Sequence, residues 1–140
     1  MTYFFFTSAL GWLATILIAA QIVLPYLLRP SGLSRALGLA RQRGSVYLRR
    51  LLPHYWIGYL LLVLTAAHAW IPMQTGYAVR TGALGLWFAT LAFFLLILQA
   101  ILGRKLQEQP LPSRQRIRSW HYWLMLALTL SVAAHVFLNS

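Results

Sequence analysis

Residues 54–70 read HYWIGYLLLVLTAAHAW, and residues 121–137 read HYWLMLALTLSVAAHVF. Seven positions agree without a gap: His54/His121, Tyr55/Tyr122, Trp56/Trp123, Leu61/Leu128, Ala66/Ala133, Ala67/Ala134 and His68/His135. Leucine and alanine matches are cheap in apolar helices. A repeated HYW triplet with a histidine fourteen residues further on is not. Spans upstream of the two stretches share a fainter W-x-A-T, at Trp12–Thr15 and Trp87–Thr90. The reading is a tandem repeat of a two-helix hairpin, with a longer loop in the first copy.

The composition around these stretches excludes a water-soluble domain. Of 140 residues, 60% are apolar and 9% charged, against about 45–50% and about 25% in ordinary globular chains. Twelve Lys and Arg face one acid, Glu108, for a net charge of +11. With no second carboxylate, paired-carboxylate catalysis and carboxylate metal sites are excluded. With no cysteine, so are disulfides, Fe–S clusters, thiolate zinc sites and c-type haem attachment. Nucleic-acid binders carry their basic patch on a polar surface. Here the arginines punctuate long apolar runs, so lipid is the expected partner and nucleic acid is not.

Four apolar stretches, near Phe4–Leu28, Tyr55–Ile71, Gly82–Leu102 and Trp120–Leu138, each approach the ~20 residues that cross a bilayer. The second is short, so its helix is expected to begin upstream near Ser45 and to carry Pro53 as a kink or first-turn residue. The first lacks the basic start of a signal peptide and is read as a span. Positive charge gathers in two segments: Arg29, Arg35, Arg41, Arg43, Arg49 and Arg50, then Arg104, Lys105, Arg114, Arg116 and Arg118. Positive loops stay cytoplasmic, which puts loops 29–54 and 103–119 inside and both termini outside. The expected fold is all-α: residues 1–140 as one domain, a bundle of four transmembrane helices, N-out and C-out. Residues 31–50 mix leucines with arginines, as an interfacial helix or as a plain topology signal. A bacterial or archaeal cytoplasmic (cell inner) membrane is the expected location.

All four histidines lie in or at the edge of spans two and four, two per span and fourteen residues apart. Fourteen helical steps return to within roughly 40° of the starting direction and advance about 21 Å. Each helix then shows two imidazoles on one face, one near each membrane surface. If the helices run in parallel, His54 meets His121 on the inner side and His68 meets His135 on the outer side. Two imidazoles make a poor zinc site, which wants four ligands or three plus water. They make a good axial pair for a macrocycle that supplies its own four nitrogens, so the ligand set points to two b-type haems bound through iron. Ala66, Ala67, Ala69, Ala133, Ala134 and Gly58 leave room for a ring, and equally for bare helix packing. Arg49, Arg50 and Arg118 are the candidates to meet the propionates of the inner haem, with Arg80 outside. The competing readings are a proton relay and structural hydrogen bonds between helices.

Histidine pairs about fourteen residues apart on the second and fourth of four helices resemble those of the di-haem membrane cytochromes b. RTGALGLWFATLAFF…RSWHYWLMLALTLSVAAHVF looks closer to the ferric-reductase-like transmembrane domain than to the haem core of cytochrome b in quinol–cytochrome c oxidoreductases. The likeness covers spans two to four, and span one by position only. It implies metal ligation by His54, His68, His121 and His135, and an electron-transport role in the membrane. No flavin or nicotinamide domain follows Ser140 and no Pro-Glu-Trp-Tyr quinol motif occurs, both departures from the families. The expectation is an oxidoreductase subunit without a complete catalytic site of its own, working with other redox subunits and with quinol or quinone as a candidate partner. A stand-alone reductase of ferric ions or oxygen, and a haem-free anchor subunit, are the alternatives.

Overall fold

A computed structural model gives the fold. The structure describes residues 2–27, 52–75, 82–108 and 113–139. These form four helices: α1 (Thr2–Leu27), α2 (Leu52–Thr75), α3 (Ala83–Glu108) and α4 (Ser113–Asn139). All four are long and apolar enough to cross a membrane, the build of an integral membrane protein. In hydrocarbon every backbone N–H and C=O must find its partner within the segment, which a helix achieves unaided.

Local chemistry sets several ends. The Gly82 carbonyl accepts the first bond of α3, from Leu86 N–H at 3.1 Å. At its other end α3 runs to Glu108, two residues short of Pro110, whose ring disfavours helix in the residue before it. Pro25 and Pro72 fall in the last turns of α1 and α2, so the one N–H bond each removes lies near a helix end. Hydroxyls are satisfied on their own helices: Thr15 donates to Gly11 O, Thr65 to Leu61 O, Thr129 to Met125 O and Ser131 to Ala127 O, all at 2.8–2.9 Å. This back-bonding lets them sit among apolar neighbours.

The helices outrun the apolar stretches. Residues 103–108 and 113–119, expected as cytoplasmic loop, are the last turns of α3 and the first turns of α4. Continuing the helix keeps the backbone bonded where the side chains turn polar. Arg104, Lys105, Arg114, Arg116 and Arg118 therefore stand on helix ends. Among the described residues, α3 pairs most extensively with α4, then α1 with α2, with a smaller α2–α3 contact. The helix start near Ser45, the segment 31–50 and most of loop 29–54 lie outside the described residues.

The core is small and central. Ala14 and Ile18 of α1, Leu61 of α2, Ala92 and Leu96 of α3 and Leu128 of α4 are buried in one cluster. Leu61 and Leu128, each 2% exposed, are the largest fully buried side chains. Around this plug the large apolar groups face outward: Trp12 is 60% exposed and Trp87 72%. Such a surface would drive aggregation in water; hydrocarbon is its solvent.

Candidate functional site

α2 and α4 barely approach each other along their backbones, yet their histidines face one another. The ring centroids of His54 and His121 are 6.5 Å apart, and those of His68 and His135 6.4 Å. The pairs match in chain order, so the two helices run the same way. Antiparallel helices would have set His54 against His135.

The separation has a chemical meaning. An imidazole nitrogen binds a first-row metal at about 2.0–2.1 Å and lies about 1.1 Å from its ring centre, so two imidazoles on opposite sides of one metal have centroids about 6.2–6.4 Å apart. The observed 6.4–6.5 Å leaves room for one metal ion between the rings of each pair, and is also the distance of an edge-to-face ring contact. Among the described residues no group of three or more His, Cys, Asp or Glu is gathered for a metal. Each level offers two ligands, which suits a metal bringing the rest of its coordination with it.

At the His68–His135 level, the one expected on the outer side and called outer from here, two carbonyls set the tautomer. His68 Nδ1 lies 2.9 Å from Thr7 O, and His135 Nδ1 3.0 Å from Gly85 O. A carbonyl only accepts, so each Nδ1 carries the proton, and in the neutral ring Nε2 keeps its lone pair. Asn139 Nδ2, 3.1 Å from His135 Nδ1, has a better acceptor in His135 O at 2.7 Å. A ligating histidine usually donates its other N–H to a carbonyl or carboxylate, which orients the ring and raises its basicity. Two glycines make these approaches: Gly11, where a Cβ would stand 2.9 Å from His68 Cε1, and Gly85, where it would collide with Asn139.

At the inner level a cleft opens between the helices. Gln21, His54, Gly58, Tyr59, Gln99, Gly103, Arg104 and His121 are among its lining, with Leu61 and Leu128 as its floor. Its enclosed part is small, about 70 Å³, and the rest of it is open to the surroundings. His121 Cε1 rests 3.6 Å from where a Gly103 Cβ would stand. The inner pair of imidazoles thus borders a small, partly open cleft lined by two glutamines and an arginine.

The structure sets His54 beside His121 and His68 beside His135; it does not gather the described arginines in the same way. Arg118 is exposed, one turn before His121, and is not among the cleft residues; Arg49, Arg50 and Arg80 lie outside the described residues. Arg104, assigned to topology by the sequence, lines the cleft and is held by Glu108 at 3.2 Å. Gln21 and Gln99 were also missed. Their signal was available: a glutamine inside an apolar span is costly unless it has a task.

Set beside protein-family models, curated proteins and solved structures, the chain matches none of them.

Proposed function

We propose that the chain is a membrane di-haem b-type cytochrome subunit that carries electrons across the bilayer within a larger redox complex. The observation that supports it is the pair of cross-helix imidazole couples, each at a distance that would admit one metal ion between its rings. His54 and His121 would hold the inner haem, and His68 and His135 the outer one. Haem supplies one-electron chemistry when bound. The chain's residues do the rest. Thr7 O and Gly85 O orient the outer rings, Arg104 offers its charge at the inner cleft, and Leu61 with Leu128 keep water from the layer between the levels.

Membrane orientation belongs to the same proposal: a four-helix bundle made of two repeated hairpins, with the arginine-rich segments cytoplasmic and both termini outside. Parallel α2 and α4 are what two hairpins in tandem require. Partner subunits follow from chemical poverty. The one carboxylate, Glu108, is exposed and ion-paired with Arg104, so the cleft has no acid to take protons from a quinol. Basic helix ends suit docking to an acidic redox partner. The test is a dithionite-reduced minus oxidised spectrum with a pyridine haemochrome assay on the purified chain. Two b haems per chain are expected. One haem rejects the two-level reading, and none leaves the haem-free anchor.

A further inference from the structure

The two levels differ in how their histidines are held. At the outer level each Nδ1–H ends on a backbone carbonyl. At the inner level Nδ1 of His54 and Nδ1 of His121 are buried with no partner, a costly condition for a polar group. Two unused acceptors line the same cleft. Gln21 is 7% exposed and Gln99 9%, and Oε1 of each is buried without a partner.

Helix register matches each glutamine to one histidine. In the first hairpin Thr7 meets His68; fourteen residues on along α1 and fourteen back along α2 stand Gln21 and His54. These meet as well, because Gln21 Nε2 donates to His54 O at 2.7 Å. Gly58 gives the amide its room, its absent Cβ being 3.4 Å from Gln21 Nε2. In the second hairpin Gly85 meets His135, and the same fourteen steps lead to Gln99 and His121. The His121 ring rests on Gly103, one turn beyond Gln99. By register each inner histidine thus has a glutamine where its outer counterpart has a carbonyl; the four side chains line one cleft, with Oε1 and Nδ1 not bonded to each other.

We propose that Gln21 and Gln99 are positioning residues for the inner haem, their amide oxygens accepting the Nδ1–H bonds of His54 and His121. The inference rests on the di-haem reading. The proton stays on Nδ1 and Nε2 is left for the iron. Because an acceptor on Nδ1–H makes the imidazole a stronger donor, the glutamines hold the inner potential down. Backbone carbonyls do this at the outer level, where no substitution can remove them.

The experiment is a potentiometric titration of the purified whole chain, following the haem bands, with the inner wave identified as the one missing in His54→Ala. Gln21→Leu and Gln99→Leu should each raise the inner midpoint, leave the outer one in place and keep two haems per chain. The low-spin electron paramagnetic resonance signal of the oxidised inner haem should shift with it. Gln21→Glu and Gln99→Glu keep an oxygen at the same reach and should hold the inner wave at or below its original position. An inner wave unmoved by leucine, or both waves moved together, overturns the proposal. Should leucine expel the inner haem, the glutamate variants decide: retention at or below the original midpoint supports the proposal, and loss overturns it. Wild-type chain without haem overturns the di-haem reading first, and this inference with it.

Discussion

The outer and inner histidine levels are built from the same side chains by different means. Outside, backbone carbonyls take both Nδ1–H groups, and Gly11 lets α1 press against the His68 ring. Inside, the rings border an open cleft, their Nδ1 atoms have no partner, and the nearby polar groups are side chains. The outer level is set by the course of the chain. On the proposal above, the inner one is set by two side chains, Gln21 and Gln99, each open to single substitution.

The largest test of this contrast removes the ligands. On the di-haem reading, His54→Ala and His121→Ala should each abolish the inner haem, and His68→Ala and His135→Ala the outer one, each leaving one haem per chain by pyridine haemochrome. If His54→Ala matched His135→Ala instead, the pairing of α2 with α4 would be wrong. Next comes the packing asymmetry. Gly11→Ala places a methyl 2.9 Å from His68 Cε1, and the ring is tied to Thr7 O and has little freedom to yield. Outer-haem occupancy should fall several-fold with the inner haem retained. Gly103→Ala meets His121 at an ordinary 3.6 Å and should keep both.

Leu61→Ala or Leu128→Ala should affect both levels alike, since each leucine lies seven residues from both histidines of its helix. A buried leucine truncated to alanine costs about 2–5 kcal/mol, to be read from thermal unfolding in detergent. The smallest effect belongs to Glu108→Gln. The Arg104–Glu108 pair is an exposed i,i+4 contact, worth under about 0.5 kcal/mol. Both haems should remain, and unchanged haem content with unchanged unfolding would leave Arg104 acting at the cleft by its own charge.

The helices and the histidine pairs were legible because hydropathy and a spacing of fourteen are properties of single segments. The inner-level chemistry was not, because it depends on how segments meet. W-x-A-T aligns α1 with α3 through Trp12 and Trp87, which face outward and serve the surroundings more than the packing. The buried residues align differently: Ala14 with Ala92, Ile18 with Leu96 and Gln21 with Gln99, each pair seventy-eight residues apart. Thr7 and Gly85, which bond the outer histidines, keep that same offset. It differs from the Trp register by three residues, nearly one turn, enough to hide the glutamines' relation to His54 and His121. Arg104 was hidden likewise: a lysine–arginine step at a span end reads as topology until the helix is seen to carry it past the cleft.

The wide gap between α2 and α4 has a consequence for biogenesis. Each hairpin can insert into lipid on its own, as membrane helices do before they associate, but it carries only one imidazole of each couple. Among the described residues the halves meet at the central plug of Leu61, Leu128 and their neighbours and along a smaller α2–α3 contact. On the di-haem reading the prosthetic groups are then seams as well as electron carriers. Haem supply would govern whether newly made chain closes into one body or is left as two loosely joined hairpins for the membrane's proteases to find.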